Sequence, residues 1–158
     1  MMRVADVMRK SVITVPPEKT LAQVAKTMDK HGIGCVVVVN DEKPIGIITE
    51  ADVIRQVAKG KDPTKVTAKG IMTKPVITGV AQLDLDDAIK LMVLHNIKKL
   101  PIMKEEELVG IVTLTDFARY EPLLHDMMRK ALKAASAATR QKFEKVLVQK
   151  EPPHGMYG

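Results

Sequence analysis

The chain repeats itself once, with an offset of 64 residues. Residues 4–57 align without a gap on residues 68–121, and the pairs Met8/Met72, Ile13/Ile77, Gly46/Gly110, Thr49/Thr113 and Asp52/Asp116 are among the identities. Two copies are too few to stack as a solenoid, in which each repeat needs neighbours on both sides. The repeat therefore predicts a pseudo-twofold arrangement in which each half covers the apolar face of the other.

Local patterns predict the same five elements in each copy. In the first copy we expect a strand (12–15), a helix (20–32), a strand (35–39), a strand (45–48) and a helix (50–59). The helix at 20–32 has apolar residues three and four apart, whereas "CVVVV" is a continuous β-branched run typical of a strand buried on both faces. The second copy runs in the same order from "VITG" (76–79) to "TDFARY" (115–120). We therefore expect an α/β fold.

The patterns also predict the limits of each part of the chain. We expect a first motif (1–58), a polar linker (59–67), a second motif (68–121), a basic amphipathic helix (122–150) and a flexible tail (151–158). The C-terminal helix is predicted from one apolar stripe at spacings of three and four: Leu124, Met128, Ala131, Ala135 and Ala138.

The formal net charge of +6 indicates an anionic partner but does not identify it. One alternative is a nucleic-acid-associated protein that uses the basic residues of the C-terminal helix: Arg129, Lys130, Lys133, Arg140, Lys142 and Lys145. The pattern favours an ordinary solvated helix face over nucleic-acid binding as the explanation of these residues. With no Trp, two Phe and two Tyr, the chain has few aromatic rings on which bases could stack.

Several classes of protein are disfavoured by what the sequence lacks. No apolar run is long enough to span a bilayer, the N-terminus does not resemble a secretory signal, and Cys35 has no second cysteine to pair with. We therefore expect a cytoplasmic protein without a membrane partner. No phosphate-binding loop, metal-binding or nucleophile motif is present, and the four histidines lack ligand spacing. We expect neither catalysis nor a bound metal.

The stretches "GIITEAD" (46–52) and "GIVTLTD" (110–116) occupy the same place in the two copies. Each contains Thr-x-x-Asp before an apolar helical pattern, which is the pattern of a capping box. The hydroxyls of Thr49 and Thr113 are then expected to accept from the amides of Asp52 and Asp116. The carboxylates of the two aspartates reach back to the start of the helix. Considered alone, this pattern favours helix capping over ligand binding.

The doubled strand–strand–helix junction with Gly-h-h-Thr-x-x-Asp resembles the CBS-domain family, named after cystathionine β-synthase. The resemblance covers residues 4–121 and also rests on "VMRKSVITV", "IMTKPVITG" and "HNIKKLPIM". It implies two β-α-β-β-α motifs in a pseudo-twofold arrangement, two clefts, and a regulatory module that senses AMP, ADP or ATP, as in energy sensing. It also implies a homodimer, an unidentified regulated protein and no catalytic cofactor.

In this family the motif aspartate holds the ribose hydroxyls, and basic residues before the "LP" segment meet phosphate. Carried over, one cleft uses Thr113, Thr115 and Asp116, with Lys98 and Lys99 for phosphate and Ile13 and Ile33 framing the base. The other cleft uses Thr49 and Asp52, with Ile77 and Ile97 framing the base. At the positions that correspond to Lys98, Lys99 and Thr115 of the second copy, the first copy has Gly34, Cys35 and Ala51. The resemblance therefore implies that the Asp116 site binds phosphorylated ligands more tightly.

Overall fold

The computed structural model describes residues 2–117 and, beyond them, residues 129–131, 133, 134, 137 and 141. The first copy contains α1 (Val4–Val7), β1 (Thr14–Val15), α2 (Leu21–His31), β2 (Cys35–Asn40), β3 (Lys43–Thr49) and α3 (Glu50–Ala58). The second copy contains α4 (Ala68–Ile71), β4 (Gly79–Val80), α5 (Leu85–Leu94), β5 (Lys99–Lys104), β6 (Glu107–Thr113) and α6 (Leu114–Phe117). The α/β class and the order of the five expected elements are confirmed.

Two sheets with matching topology contain the strands. Their orders are β1-β2-β3 and β4-β5-β6. In the first sheet, β1 runs parallel to β2, and β2 runs antiparallel to β3. The prediction that β2 is buried on both faces is confirmed, because Val36, Val37 and Val38 are all fully buried. The β2–β3 turn consists of Asp41 and Glu42, which both adopt positive φ angles.

Helix α2 begins where the spacing of apolar residues predicts it, because its N-terminal amides all find acceptors. Thr20 caps the helix by accepting from the Gln23 amide, and the Gln23 side chain accepts from the Thr20 amide. The amides of Leu21 and Ala22 donate to the carbonyls of Val66 and Pro63. The linker segment thus lies against the start of α2. The helix ends at Gly32, whose φ of 59° is the left-handed conformation that favours glycine.

The opening strands are shorter than the sequence predicts. Only Thr14 and Val15 pair with β2, in place of the expected strand at 12–15. The prediction of a strand at 76–79 is also wrong, because β4 starts only at Gly79. In the first copy the Val37 amide donates to the Ile13 carbonyl at 3.2 Å. The residue 64 positions after Val37 is Pro101, which has no amide hydrogen to donate, so pairing in the second copy begins later.

Two short helices open the copies and were not predicted. Helix α1 is stabilised by Asp6, whose carboxylate accepts from the Arg3 amide at 2.8 Å. Helix α4 begins after Thr67, which forms an antiparallel bridge with Thr20. Each helix has four residues, which is barely one turn and too short to show an apolar period. Sequence periodicity therefore could not reveal them.

The chain divides into two compact units that do not coincide with the two copies. Of the described residues, the first unit contains 2–8, 82–100 and those from 112 onwards, and the second contains 9–81 and 101–111. In the second unit, a core of Val15, Val24, Met28, Val36, Val38, Ile48 and Ala68 lies between α2 and the first sheet. In the first unit, α5 buries Leu85, Ala88, Ile89, Met92 and Val93.

Within the second unit, the opening segment of each copy pairs with the last strand of the other copy. The Thr73 amide donates to the Ile47 carbonyl at 2.9 Å, and the Ile47 amide donates back to Thr73 at 3.1 Å. Arg9 and Ile111 exchange the equivalent pair of bonds at 2.9 and 3.0 Å. Ile47 and Ile111 each lie two residues before the threonine of a Thr-x-x-Asp motif. In each copy, therefore, the strand residue two positions before the motif threonine is hydrogen-bonded to the other copy.

The predicted C-terminal helix lies mostly outside the described residues. Those described between 129 and 141 are helical, with Ala131 buried and the others exposed. None of the helices in the part of the chain that the structure describes has both the length and the apolar character needed to cross a membrane.

Candidate ligand-binding site

The first Thr-x-x-Asp motif forms the capping box that the sequence predicts. Strand β3 ends at Thr49, which is also the N-cap of α3. The Asp52 Oδ2 atom accepts from the Thr49 amide at 2.9 Å and from the Thr49 hydroxyl at 3.2 Å. The carboxylate of Asp52 is therefore held against the strand–helix junction by two donors of one residue.

The second motif reproduces this geometry. The Asp116 Oδ2 atom accepts from the Thr113 amide and from the Thr113 hydroxyl, each at 2.9 Å. The Asp116 amide in turn donates to Thr113 Oγ1 at 3.3 Å. Both motifs therefore have the carboxylate bonds of the predicted capping box, and the second motif also has the bond from the aspartate amide to the threonine hydroxyl. Thr115, which the family resemblance adds to this site, is exposed on α6.

Burial distinguishes these aspartates from the other charged residues that the structure describes. Among residues 2–117 and the seven described beyond them, only Asp52 (6% exposed) and Asp116 (4% exposed) are buried polar or charged residues. Many N-terminal capping acids stay in solvent, where the charge is hydrated. Burying a carboxylate at both junctions carries a desolvation cost that a capping box does not require, because in α2 the exposed, neutral Gln23 completes the box at the same helix position.

The two junctions differ in the residue that faces the start of the helix. In the first copy the Glu50 amide donates to the Gly34 carbonyl, and in the second the Leu114 amide donates to the Lys98 carbonyl, each at 3.1 Å. The exposed Lys98 side chain therefore begins beside the Thr113 junction, whereas Gly34 brings no side chain to the Thr49 junction. Lys99 is the first residue of β5 and is partly buried.

The four isoleucines that the resemblance assigns to the base are all partly buried. Ile13, Ile33 and Ile77 belong to the second unit, and Ile97 belongs to the first. Ile13 and Ile33 pack against the core of their unit, so part of their apolar surface is already used for folding. Ile33 precedes Gly34, whose carbonyl accepts from the Glu50 amide at the start of α3. Ile33 therefore lies one residue away from the Thr49 junction.

Arg55 is a site residue that the sequence-based assignment missed. Its Nη1 atom lies 2.9 Å from Asp52 Oδ1, so it pairs with the carboxylate oxygen that Thr49 does not use. The signal was present in the sequence, because side chains three residues apart on a helix are neighbours and Arg55 recurs as Arg119.

A large cavity lies elsewhere, at the tips of the two strand hairpins. It has a volume of about 760 Å³ and is bordered by Asp41, Glu42, Glu105, Glu106 and Glu107 together with Lys10 and Lys43. Its predominantly acidic border does not suit an anion. Within the residues that the structure describes, no group of His, Cys, Asp or Glu side chains has a geometry that could hold a metal ion.

The chain is similar to curated proteins of several kinds. An uncharacterized protein of Methanopyrus kandleri is 44% identical over 133 residues, which covers 82% of this chain and 68% of that protein. The CBS domain-containing protein YhcV of Bacillus subtilis is 35% identical over 119 residues, covering 75% of this chain and 84% of YhcV. The inosine-5′-monophosphate dehydrogenase of Methanocaldococcus jannaschii is 34% identical over 92% of this chain, but the match covers only 30% of that enzyme.

Solved structures with the same fold include complexes with adenosine compounds. A CBS domain protein of Pyrobaculum aerophilum complexed with AMP has a TM-score of 0.73 and 25% identity, covering 80% of this chain and 98% of the other. The CBS domain pair of protein MJ0100, complexed with 5′-methylthioadenosine and S-adenosyl-L-methionine, has a TM-score of 0.70 and 31% identity, covering 76% and 95%. The CBS domain model itself matches residues 4–59 and 68–122, that is, both copies of the repeat. This chain therefore belongs to the CBS-domain family and carries a pair of CBS domains, a regulatory module.

Proposed function

We propose that this CBS pair is a non-catalytic, cytoplasmic sensor that binds AMP, ADP or ATP through its two Thr-x-x-Asp motifs and passes the signal to a partner protein. The observation that carries the proposal is the pair of buried carboxylates at equivalent strand–helix junctions. Ionised carboxylates accept hydrogen bonds on both oxygens, so each can receive the two hydroxyls of a ribose. The complexes of similar CBS proteins with AMP and with other adenosine compounds support this class of ligand.

The pairing of the copies supports a composite site at the first motif. In the second unit the segment that begins at Thr73 and leads to Ile77 is hydrogen-bonded to β3, which ends at Thr49. The Ile77 carbonyl lacks the strand bond that Ile13 makes, because Pro101 has no amide to donate. A main-chain carbonyl left in this way suits the exocyclic amino group of adenine, which is a hydrogen-bond donor. The roles of Ile13, Ile33, Ile77 and Ile97 in framing the base are part of the proposal.

Asp116 is proposed to form the tighter site for phosphorylated ligands. The Lys98 carbonyl is bonded to the start of α6, so this exposed cation begins next to Thr113. Thr115 and Lys99 add a hydroxyl and a second cation to the same motif, where the first copy has Ala51 and Cys35. A charge-assisted contact to phosphate is stronger than a neutral hydrogen bond, which favours the second motif.

A thermal-shift panel tests the function. AMP, ADP, ATP, NAD and S-adenosylmethionine are each compared with a short RNA at two salt concentrations. A ligand present at one hundred times its Kd stabilises the folded state by about 2.7 kcal/mol, which for a chain of this size raises Tm by about 5–11 °C. Nucleic-acid binding, the alternative, would instead weaken steeply with salt. The proposal fails if no adenosine compound shifts the melting temperature.

Calorimetry with AMP tests the ranking of the two motifs. We expect Asp116→Asn to reduce AMP affinity more than Asp52→Asn, and we use Asn because it can retain part of the capping geometry. Both aspartates are buried and accept from the amide of their threonine. Asp52→Asn loses the contact with Arg55, and thermal unfolding of each variant reports such losses of stability separately from binding. The ranking is wrong if Asp52→Asn abolishes AMP binding while Asp116→Asn leaves it intact.

Self-association into a homodimer is part of the proposal. Helix α3 presents Ile54 and Val57 to solvent, with 67% and 68% of their surfaces exposed. Beside them, a groove of about 450 Å³ is lined by apolar side chains that include Ala25, Met28 and Val53. Burying such a surface against a second copy is favourable. Sedimentation velocity at several concentrations tests this, and a monomer throughout the micromolar range contradicts it.

A further inference from the structure

Both oxygens of the Asp52 carboxylate accept hydrogen bonds from other residues of the chain. Oδ2 accepts two hydrogen bonds from Thr49, and Oδ1 accepts one from the Arg55 guanidinium at 2.9 Å. The two partners differ in how firmly they are held. Thr49 donates one of its bonds from the backbone at the start of α3. Arg55 approaches with a side chain that is 57% exposed, while the Asp52 side chain is only 8% exposed.

A ribose would need the same oxygen that Arg55 occupies. An ionised carboxylate has about four acceptor positions, two on each oxygen, and the two Thr49 bonds fill those of Oδ2. The two neighbouring hydroxyls of a ribose therefore have to donate to Oδ1, which is engaged by a cation that also neutralises the carboxylate. A ribose at this motif must therefore displace or share the Arg55 contact.

We propose that Arg55 is a specificity-determining latch, which competes with the ribose hydroxyls for Asp52 and so weakens the binding of neutral nucleosides at the first motif. This inference rests on the proposed function, because it assumes that Asp52 receives a ribose. Exchange is feasible because the capping bonds from Thr49 remain when Arg55 leaves. The cost of release is limited because the Arg55 side chain is 57% exposed, where its charge is hydrated and screened by salt, and because the Thr49 bonds continue to stabilise the buried carboxylate.

Adenosine is the probe that isolates this competition, because it has the ribose but no charge of its own. Titrations are made in an Asp116→Asn background, so that the first motif is the site observed. We expect Arg55→Met, which keeps the apolar stem of the side chain, to tighten adenosine binding about two- to fivefold. Arg55→Lys keeps a cation and is expected to retain most of the weakening. Lys59→Ala removes an exposed cation at the end of the same helix and serves as the matched control.

The salt dependence separates a latch from a purely structural ion pair. With Arg55 present, adenosine affinity should rise as sodium chloride increases from low to high concentration, because salt screens the competing pair. With Arg55→Met the affinity should not depend on salt. Thermal unfolding of each variant reports any change in stability separately from the change in binding.

The possible outcomes are distinct. Tighter, salt-independent binding in Arg55→Met, with Lys59→Ala unchanged, supports the latch. Adenosine binding that requires Asp52 but is unaffected or weakened by Arg55→Met overturns the latch and leaves the proposed function intact. If adenosine, AMP, ADP and ATP all fail to bind the wild-type chain, the proposed function fails and the latch fails with it.

Discussion

Replacing Gly46 by alanine should destabilise the chain, because there is no room for a side chain at this position of β3. Gly46 is buried and pairs with Val38 in the first sheet. A Cβ atom built on it would lie 2.5 Å from Met72 Sδ, 2.7 Å from Met72 Cγ and 2.9 Å from Met72 Cβ. Met72 occupies this space because the following residue, Thr73, is hydrogen-bonded to Ile47. The glycine of the Gly-h-h-Thr-x-x-Asp motif thus admits the opening segment of the other copy.

The expected loss follows from the three short contacts. Carbon and sulfur atoms cannot approach a Cβ this closely, so Met72 or the paired strands must shift. Overpacking of one methyl group in a filled interior costs about 1–3 kcal/mol. For a chain of 158 residues this lowers Tm by about 2–12 °C. Shortening the neighbour by Met72→Ala removes the two closest contacts but leaves the Cβ contact, so we expect partial rescue of Gly46→Ala in the double variant.

Differential scanning calorimetry of four chains makes the measurement: wild type, Gly46→Ala, Met72→Ala and the double variant. Gly70→Ala is the matched control, because its Cβ would meet only Thr67 Oγ1 at 3.8 Å. That control should match or exceed the wild-type Tm, since alanine also favours helix α4. The steric explanation is refuted if Gly46→Ala melts with the wild type, or if the effects of Gly46→Ala and Met72→Ala are simply additive.

Two further predictions concern local hydrogen bonds. Thr20→Val removes the side-chain cap of α2 and should lower the free energy of unfolding by about 1 kcal/mol, whereas Thr27→Val, in mid-helix, should be nearly neutral; equal losses in urea titrations would contradict the capping role. The Thr64 hydroxyl, followed by the Thr64 amide, holds the pKa of the Asp62 carboxyl below its usual value. Thr64→Val should raise that pKa in NMR titrations. Because the pKa of Asp62 is lower in the folded state, the stabilisation by the Thr64 hydroxyl is fully present above the unfolded-state pKa. It disappears as the pH falls through the folded-state pKa. An unchanged pKa of Asp62 in the variant would refute this role of the hydroxyl.

The elements with a clear hydrophobic period were predictable from the sequence. Helix α2 spans Leu21–His31 within the predicted 20–32, and β2 extends one residue beyond the predicted 35–39. Both have side chains whose spacing alone distinguishes helix from strand. The capping boxes were equally predictable, because Thr-x-x-Asp specifies bonds between residues three apart. These features depend on contacts that are local in the sequence.

The features that were missed depend on contacts between distant residues or on very short segments. The late start of β4 follows from Pro101, but only once its partner strand is known. The bridge between Ile47 and Thr73 joins different copies, and no residue pattern in either copy indicates it. Arg55 was visible as a repeated residue, yet its role depends on the Asp52 side chain being buried with one oxygen left to pair.

The two exchanged bridges have a consequence for how such a chain could have arisen. Arg9 pairs with Ile111 in the last strand of the second copy, and Thr73 pairs with Ile47 in the last strand of the first. A half-length chain with one motif would therefore end with an edge strand unpaired and an opening segment without a strand to join. Two such chains could satisfy each other by the same two bridges. Duplication and fusion would then convert an exchanged homodimer into a single polypeptide, after which each Thr-x-x-Asp motif was able to change separately.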